Sequence, residues 1–331
     1  MNGLRLEAPS RLHFGPLAWG TQAPRSFGGV GLMIDRPGIE LVAWPARDWR
    51  AEGPLAARVK QTIEQVEGAL RDEDVRVNPL HFEVRRAPAE HVGLGTGTQL
   101  SFAVARLMVE SSGLAKPDAA ALARWTGRGR RSAIGPLGFE RGGLIVDGGH
   151  RRDDPGRLAP LISRLDLPAG WSVLVIVPNF PAGLHGPEES AAFQRWDGLP
   201  DTLTDRLCRI VLLGLLPAAA EGDLKSFGAS LEDLQREIGR AFEPFQGGPY
   251  AHPALAEWAD WLRDQGLAGV GQSSWGPALY AFTAQPAEQR ELLLAALRRR
   301  FDLGPANAFF AKPKRHGTRL EMVSRTTAHV A

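Results

Sequence analysis

The chain has 331 residues, of which 44% are hydrophobic and 23% charged, and its formal net charge is +2. These values suit a globular protein of one large or two smaller domains, and the balanced charge argues against a general nucleic-acid binder. The one cysteine, Cys208, excludes an internal disulfide and a cysteine-rich metal cluster.

The first half of the chain alternates strand-like and helical segments. Short apolar or alternating runs predict strands, and apolar residues that recur with the helical period predict helices. Strands are predicted at Leu4–Ala8, Ile39–Ala43, His81–Arg85 and Leu144–Asp147, and helices at Leu55–Arg71, Thr98–Ser112 and Pro117–Trp125.

The second half begins with a charged, proline-containing connector at 153–168. The continuous apolar run from Trp171 to Val177 is typical of a buried strand. Helices are predicted at Asp201–Ala220, Asp223–Phe242, Ala254–Gln265 and Ala287–Arg300, and strands at Leu279–Thr283 and Arg319–Val323. Strands mixed with helices, without a regular strand–helix–strand rhythm, predict an α+β fold in two halves. We place the domains at residues 1–160 and 161–331.

No segment of the sequence indicates a membrane or an export signal. The longest strongly apolar stretch, from Ile210 to Ala220, is too short to cross a bilayer and contains Pro217. The N-terminus has neither the basic start nor the apolar core of a signal peptide. We therefore expect a cytoplasmic protein without a membrane partner.

The stretch from His91 to Ser101 places alternating glycines and two threonines at the start of a predicted helix. The first turn of a helix has unpaired backbone N–H groups at the positive end of its dipole, and glycines let the backbone approach a ligand closely. This pattern predicts a phosphate site, although a glycine-rich turn entering a packed helix is an alternative. The phosphate-binding candidates here are Gly93, Gly95, Thr96, Gly97, Thr98 and Gln99.

A second candidate phosphate-binding segment is the basic loop from Gly127 to Gly135. Its candidates are Arg128, Arg130, Arg131 and Ser132. Guanidinium and backbone donors in such a loop can wrap a phosphate together, whereas the alternative is a solvated basic loop. The apolar strand bracketed by glycine pairs at 142–149 pins this loop near a sheet end, where binding sites tend to lie.

Two segments carry candidate catalytic residues. Arg11 and His13 alternate along an extended segment, so they share one face; a structural role for His13 is the alternative. His185 and Glu188, in the polar segment 181–189, offer an acid, a base or magnesium ligands. Negative charge in the first turn of a helix is the alternative for Glu188.

Substrate-binding candidates lie in three glycine-rich segments. Polar groups in the glycine-bounded turn at 269–280 can hydrogen-bond a ligand while Trp275 stacks on a ring, and an ordinary turn with a core tryptophan is the alternative. The candidates are Gly28, Gly29, Asp147, Gln272, Ser273, Ser274 and Trp275.

The order of these motifs resembles the GHMP kinase superfamily and, within it, the β-ribofuranosylaminobenzene 5′-phosphate synthases. The segments that carry the resemblance are Ser10–Gly15, Gly95–Leu100, Gly127–Gly135, Gly142–Gly149, Gly183–Glu189 and Gln272–Pro277. The resemblance implies an N-terminal α/β domain with a glycine-rich phosphate loop and a C-terminal ferredoxin-like α/β sandwich. It also implies a homodimer, since members of this family often form one.

The resemblance further implies a decarboxylating transfer of a phosphoribosyl group. Phosphoribosyl diphosphate and 4-aminobenzoate, or 4-hydroxybenzoate, would give a C-riboside 5′-phosphate, carbon dioxide and diphosphate on the way to methanopterin. We expect Mg²⁺ and no organic cofactor. Thr96-Gly97-Thr98 stands where kinases of the superfamily show serines, which argues against ATP. The alternatives are an ATP-dependent small-molecule kinase and an RNA- or protein-binding module on the same fold.

Overall fold

The computed structural model describes residues 2–20, 23–180 and 198–324. The strands are β1 (Asn2–Ala18), β2 (Arg25–Pro45), β3 (Arg50–Glu52), β4 (Leu80–Arg86), β5 (Leu144–Asp147), β6 (His150–Arg151), β7 (Leu161–Leu165), β8 (Ser172–Ile176), β9 (Ala268–Gln272), β10 (Leu279–Thr283), β11 (Ala308–Ala311) and β12 (Arg319–Ser324). The helices are α1 (Ala56–Asp72), α2 (Thr96–Ser111), α3 (Ala119–Thr126), α4 (Ile134–Arg141), α5 (Asp201–Ile210), α6 (Leu216–Glu221), α7 (Leu224–Gln246), α8 (Ala254–Asp264) and α9 (Ala287–Arg300), with a π-helical turn, Val211–Leu215, between α5 and α6. Within these ranges, no helix combines the length and the apolar character needed to cross a membrane.

The first sheet is built around the long antiparallel pair β1 and β2. Its strand order is β12-β1-β2-β4-β3, and β5 and β7 extend it from β2. Helix α2 contacts both central strands and also α1, α3 and α4. Because it is enclosed by these neighbours, α2 is buried all round from Gln99 to Val109, whereas the sequence pattern predicts one buried face. A fully enclosed helix places its N-terminus at a fixed position in the fold.

The second sheet has four antiparallel strands in the order β11-β8-β10-β9. Numbered within this half of the chain, that order is four-one-three-two, which is the ferredoxin-like arrangement that the resemblance implies. The two halves share one hydrophobic cluster, in which Phe14 of β1 packs against Tyr280 and Phe282 of β10. The predicted α+β, two-domain fold class is confirmed.

The chain returns to the first sheet at its C-terminal end. β12 and β7 both come after residue 160. β12 nevertheless pairs with β1, and β7 pairs with β5. The predicted division at residues 160 and 161 therefore does not coincide with the division between the sheets. The physical reason is that an edge strand exposes unpaired N–H and C=O groups, and β12 satisfies those of Asn2–Glu7.

Several predicted elements need adjustment. The long helix predicted at Asp201–Ala220 widens into the π-helical turn just before Pro217, which has no N–H and crowds the carbonyl one turn earlier. Helix α4 begins at the end of the predicted basic loop and continues through residues for which no element is predicted. β7 lies inside the predicted connector, and β9 overlaps the start of the predicted turn at 269–280.

Candidate active site

A cleft of about 1370 Å³ is lined by residues of both halves of the molecule. Its walls are β1, the loop before α2, the loop between α3 and α4, one face of α7 and the turn after β9. The described lining is rich in arginine and poorer in carboxylates, which suits a polyanionic substrate. The lining arginines are Arg11, Arg58, Arg128, Arg130, Arg131, Arg236, Arg240 and Arg263, and the lining glutamates are Glu90, Glu232 and Glu243.

The glycine-rich loop opens directly into this cleft. Helix α2 begins at Thr96, two residues before its predicted start, with Gly95 as N-cap in the left-handed region at φ 71°. The amides of Thr96, Gly97 and Thr98 therefore form the first turn, whose N–H groups have no partner within a helix. A Cβ built on Gly97 would lie 3.3 Å from Glu90 Oε1 and 3.4 Å from Arg128 Nη2, so glycine leaves the space that an anion needs.

Two of the predicted phosphate-binding side chains form hydrogen bonds inside the protein that hold the glycine-rich loop in place. The Thr96 hydroxyl donates to the carbonyl of Ala89 (3.0 Å), and Gln99 Nε2 donates to the carbonyl of Gly135 (2.9 Å). Both side chains are buried. Gly93, Gly95, Gly97 and Thr98 line the cleft, whereas Gln99 lies outside its lining.

The basic loop faces the glycine-rich loop across the same end of the cleft. Arg128 reaches the first turn of α2, since its Nη2 would lie 3.4 Å from a Cβ built on Gly97. Arg130, Arg131 and Ser132 also line the cleft. Gly127 ends α3 in the left-handed conformation, which turns the chain toward α2. The structure therefore brings these two candidate phosphate-binding loops together at one site.

Arg11 and His13 lie on β1 beside these loops. The Arg11 side chain packs against Gly95, where a Cβ would be 3.2 Å from Nε. His13 is held at both main-chain groups: its N–H donates to Ser273 Oγ (3.0 Å), and its carbonyl accepts from Ser274 N (3.0 Å). Both side chains line the cleft, as their shared face predicts.

The electrostatics of this corner are set by burial. Burial, and secondarily the Arg11 charge, lower the pKa of His13 well below its usual range, so the ring is neutral. Burial raises the pKa of Asp147 to about 6, against the opposing effect of hydrogen bonds from Gly149 and Ala133. His13 Nε2 lies 3.1 Å from Ser132 Oγ, which connects the ring to the Asp147 side of the site.

Three of the predicted substrate-binding residues lie behind the cleft wall. Asp147 is 1% exposed and accepts the N–H groups of Ala133 and Gly149. Gly28 packs on the backbone of Asp147 and Gly149, and a Cβ on Gly29 would lie 3.3 Å from His13 Nε2. These residues support the basic loop and the His13 ring and do not form cleft surface.

The turn after β9 lines the cleft through Gln272, Ser274 and Trp275, and it also clasps the N-terminal half through buried hydrogen bonds. The Ser273 hydroxyl, wholly buried, donates to the carbonyl of Gly93 (2.6 Å). Gln272 Oε1 accepts from Ala251 N (2.7 Å). Trp275 is 5% exposed and stacks on Phe242 at 4.1 Å between ring centroids, so one face of the indole predicted to stack on a substrate is already covered.

Some residues that line the cleft were not predicted from the sequence, and two predicted catalytic residues lie outside the described part of the chain. Arg58 and Glu90, 3.5 Å apart, lie beside the glycine-rich loop, and Gln235 and Arg236 line the cleft from α7. The position of Glu90, just ahead of the glycine-rich segment, is the one local signal that could have indicated it. His185 and Glu188 lie outside the described residues.

Comparisons with known proteins agree with this architecture. Residues 215–303 match the family described as GHMP kinases C terminal. The phosphomevalonate kinase of Streptococcus pneumoniae superposes with a TM-score of 0.67, at 13% identity, over 95% of this chain and all of that one. The fold is thus that of the GHMP kinase superfamily.

Relatives with similar sequences identify the family to which the chain belongs. A beta-ribofuranosylphenol 5′-phosphate synthase of Methanothermobacter thermautotrophicus is 32% identical over 296 residues, or 85% of this chain and 88% of that protein. One of the same name from Archaeoglobus fulgidus is 33% identical over 290 residues, with the same coverage of both chains. The chain belongs to the beta-ribofuranosylphenol 5′-phosphate synthase family and is an enzyme of the pentosyltransferase type.

Proposed function

We propose that the enzyme condenses phosphoribosyl diphosphate with 4-hydroxybenzoate to ribofuranosylphenol 5′-phosphate, carbon dioxide and diphosphate. The convergence of the α2 N-terminus with Arg11 and Arg128 at one end of the cleft carries this proposal. The choice of a phenol is supported by the name of the relatives. An analogous reaction of 4-aminobenzoate is the second candidate, and methanopterin biosynthesis in the cytoplasm is the setting that the resemblance favours.

Departure of diphosphate leaves an oxocarbenium-like anomeric carbon and a highly charged leaving group. The amides of Thr96–Thr98 and the guanidinium of Arg128 are placed to stabilise that charge as it develops. These donors are set by the fold before the substrate arrives, so they need little reorganisation during the reaction.

Arg11 is placed for a second task. The ring carbon that attacks the anomeric centre also bears the carboxylate, so carboxylate and diphosphate must lie within a few ångströms of one another. Arg11, packed on Gly95, lies at that junction and can orient the carboxylate. Arg11 must not bind this carboxylate too tightly, because binding the ground state more tightly than the transition state slows the reaction.

Magnesium fits one described residue of the site. Mg²⁺ in phosphate sites is usually held by one or two carboxylates and by the substrate's own phosphates. Glu90, whose carboxylate lies at the first turn of α2, is the residue that would hold it. When bound, the ion would neutralise charge on the diphosphate. No organic cofactor is required, because the aromatic ring itself takes up and returns the electron pair.

The test is release of labelled carbon dioxide from carboxyl-labelled 4-hydroxybenzoate. We expect release that depends on phosphoribosyl diphosphate and yields one equivalent of diphosphate. The same assay with 4-aminobenzoate decides between the two acids. Calorimetry with ATP separates the kinase alternative: ATP consumption with a hydroxyl acceptor, without carbon dioxide release, would overturn the proposal.

A further inference from the structure

The starting point is the buried carboxylate of Asp147. It accepts N–H groups from Ala133 (3.0 Å) and Gly149 (2.9 Å) and a hydrogen bond from the Ser132 side chain. An ionised carboxylate can accept hydrogen bonds but cannot donate one. The Ser132 side chain lowers the pKa of Asp147 by acting as a hydrogen-bond donor, so the proton of its hydroxyl points toward that carboxylate.

The hydrogen bonds of the Ser132 hydroxyl then determine which nitrogen of the His13 ring carries the proton. A hydroxyl has one proton and two lone pairs. The proton is given to Asp147, and the N–H of Ile134 donates to Ser132 Oγ at 3.2 Å. The remaining contact, 3.1 Å to His13 Nε2, must therefore be accepted from the ring. His13 carries its proton on Nε2, and Nδ1 holds the lone pair.

The surroundings keep this ring in place and uncharged. Ser273 and Ser274 hold the two main-chain groups of His13, and Gly29 leaves room for the ring. Burial and Arg11 both disfavour the imidazolium form. A neutral ring with a fixed tautomer in the wall of the substrate cleft keeps one unprotonated nitrogen available to accept a proton.

We propose that Asp147 and Ser132 are positioning residues that hold His13 with Nε2 protonated, so that Nδ1 accepts the phenolic proton of the aromatic acid during catalysis. This inference rests on the function proposed above. It assigns Ser132 to the orientation of His13 in place of phosphate binding, and it gives the buried Asp147 a role through two intervening groups.

Atoms and electrons balance in this step. The ring carbon that bears the carboxylate forms a bond to the anomeric carbon, the bond to diphosphate breaks, and diphosphate leaves with the electron pair. The phenolic oxygen becomes a carbonyl as its proton passes to His13 Nδ1. The carboxylate then leaves as carbon dioxide, its electron pair restores the aromatic ring as a phenolate, and His13 returns the proton to that oxygen.

A weakly basic histidine suits this step. The phenolic O–H becomes strongly acidic as the new carbon–carbon bond removes electron density from the ring, so a weak base suffices at that moment. The imidazolium so formed, beside Arg11, readily gives the proton back to the phenolate. His13 is thus regenerated in each turnover.

The direct test is nitrogen-15 NMR of the histidine side chains in the full-length enzyme. His13→Gln identifies the His13 signals by their loss. We expect the wild-type ring to show Nε2 protonated and Nδ1 unprotonated at pH 8, and Ser132→Ala to lose that preference. A wild-type ring protonated on Nδ1, or a tautomer unchanged by Ser132→Ala, would overturn the inference whether or not the proposed reaction is correct.

Kinetics provides the second readout. With 4-hydroxybenzoate, we expect His13→Gln to lower kcat by about 100-fold or more and Ser132→Ala to lower it by about tenfold, with KM for phosphoribosyl diphosphate nearly unchanged. Ser163→Ala, on β7 outside the cleft lining, is the matched control. A Ser132→Ala enzyme with raised KM and normal kcat would place Ser132 on the phosphate and contradict the inference. If the wild-type enzyme releases no carbon dioxide, the proposed function fails instead.

Discussion

Two glycine-rich turns of similar composition line the same cleft but use their polar groups differently. The first, Gly93–Thr98, directs backbone amides into the cleft from the start of α2. In the second, Gln272–Gly276, the Ser273 hydroxyl and the Gln272 amide are engaged in hydrogen bonds inside the protein. The first turn offers donors to a ligand, and the second holds β1 against the C-terminal half.

The difference comes from the element into which each turn leads. A helix leaves the N–H groups of its first turn without partners, so a glycine-rich entry exposes donors. A turn between two antiparallel strands, such as β9 and β10, has its main chain paired on both sides, and buried polar groups must find partners. Polar composition alone therefore does not identify a binding turn; the next element along the chain does.

The largest expected effect is at the ligand-facing turn. Arg128→Ala removes the guanidinium above Gly97, and we expect kcat/KM for phosphoribosyl diphosphate to fall by about 100- to 1000-fold with little change in the unfolding midpoint. Steady-state kinetics and urea denaturation measure the two quantities. Arg76→Ala, an exposed arginine outside the cleft lining, is the control. Full activity in Arg128→Ala would remove the basic loop from the phosphate site.

A substitution in the turn after β9 should instead lower the stability of the protein. Ser273→Ala strands the N–H of His13 and the carbonyl of Gly93, both of which the Ser273 hydroxyl now satisfies. We expect the free energy of unfolding to fall by about 2–4 kcal/mol, because each buried orphaned group costs about 1–3 kcal/mol. Urea denaturation measures it, with Ser163→Ala as reference. An unchanged stability would show that this turn does not hold the two halves together.

Asp147, which accepts the N–H of Ala133 at the end of the basic loop, gives a pH signature. Its pKa is raised from 3.8 to about 6 in the folded chain, so between these values the folded state holds more protons and its stability falls as pH rises. At about 1.4 kcal/mol for each unit, this amounts to about 3 kcal/mol.

The comparison with Asp147→Asn isolates this effect. The lowered pKa of His13 acts in the opposite direction, because the unfolded chain binds its proton more readily, but both proteins retain His13. We expect the stability difference, wild type minus variant, to decrease from about pH 4 to about pH 6 and to be constant above it. Parallel stability curves for the two proteins would contradict the buried ionisation of Asp147.

The smallest expected effect concerns backbone strain in the clasp. Ser274 has φ 58°, in the left-handed region that favours glycine, and its N–H binds the carbonyl of His13. Ser274→Gly keeps that bond, and we expect a gain of about 1 kcal/mol or less in unfolding free energy, since relief of strain is offset by a more flexible unfolded chain. A loss of more than about 1 kcal/mol would show that the hydroxyl itself contributes.

Much of the fold could be predicted from local patterns. β5, β10 and α9 have their predicted bounds, because the two strands are short apolar runs and α9 is a run of strong helix formers that begins after Pro286. Helix α4 was missed because Gly135, Pro136 and Gly138 disfavour a helix in isolation. All three are buried there, which indicates that tertiary packing overrides the local preference.

The candidate site was predictable where it depends on adjacent residues. The spacing of Gly93, Gly95 and Gly97 before a helix indicates a phosphate loop without knowledge of the rest of the chain. The burial of Trp275 and that of Asp147 were not predictable, because they depend on Phe242 and on the loop around Ala133.

The sequence by itself determined the α+β class, the glycine-rich turn at the start of α2 and the basic loop, because period, glycine spacing and charge are properties of neighbouring residues. The tertiary structure alone decided which polar groups face the cleft and which hold the fold together. The Ser273 hydroxyl and the His13 amide, 260 residues apart in the chain, meet at 3.0 Å. A hydrogen bond over such a separation depends on the packing of the whole molecule, which no local pattern encodes.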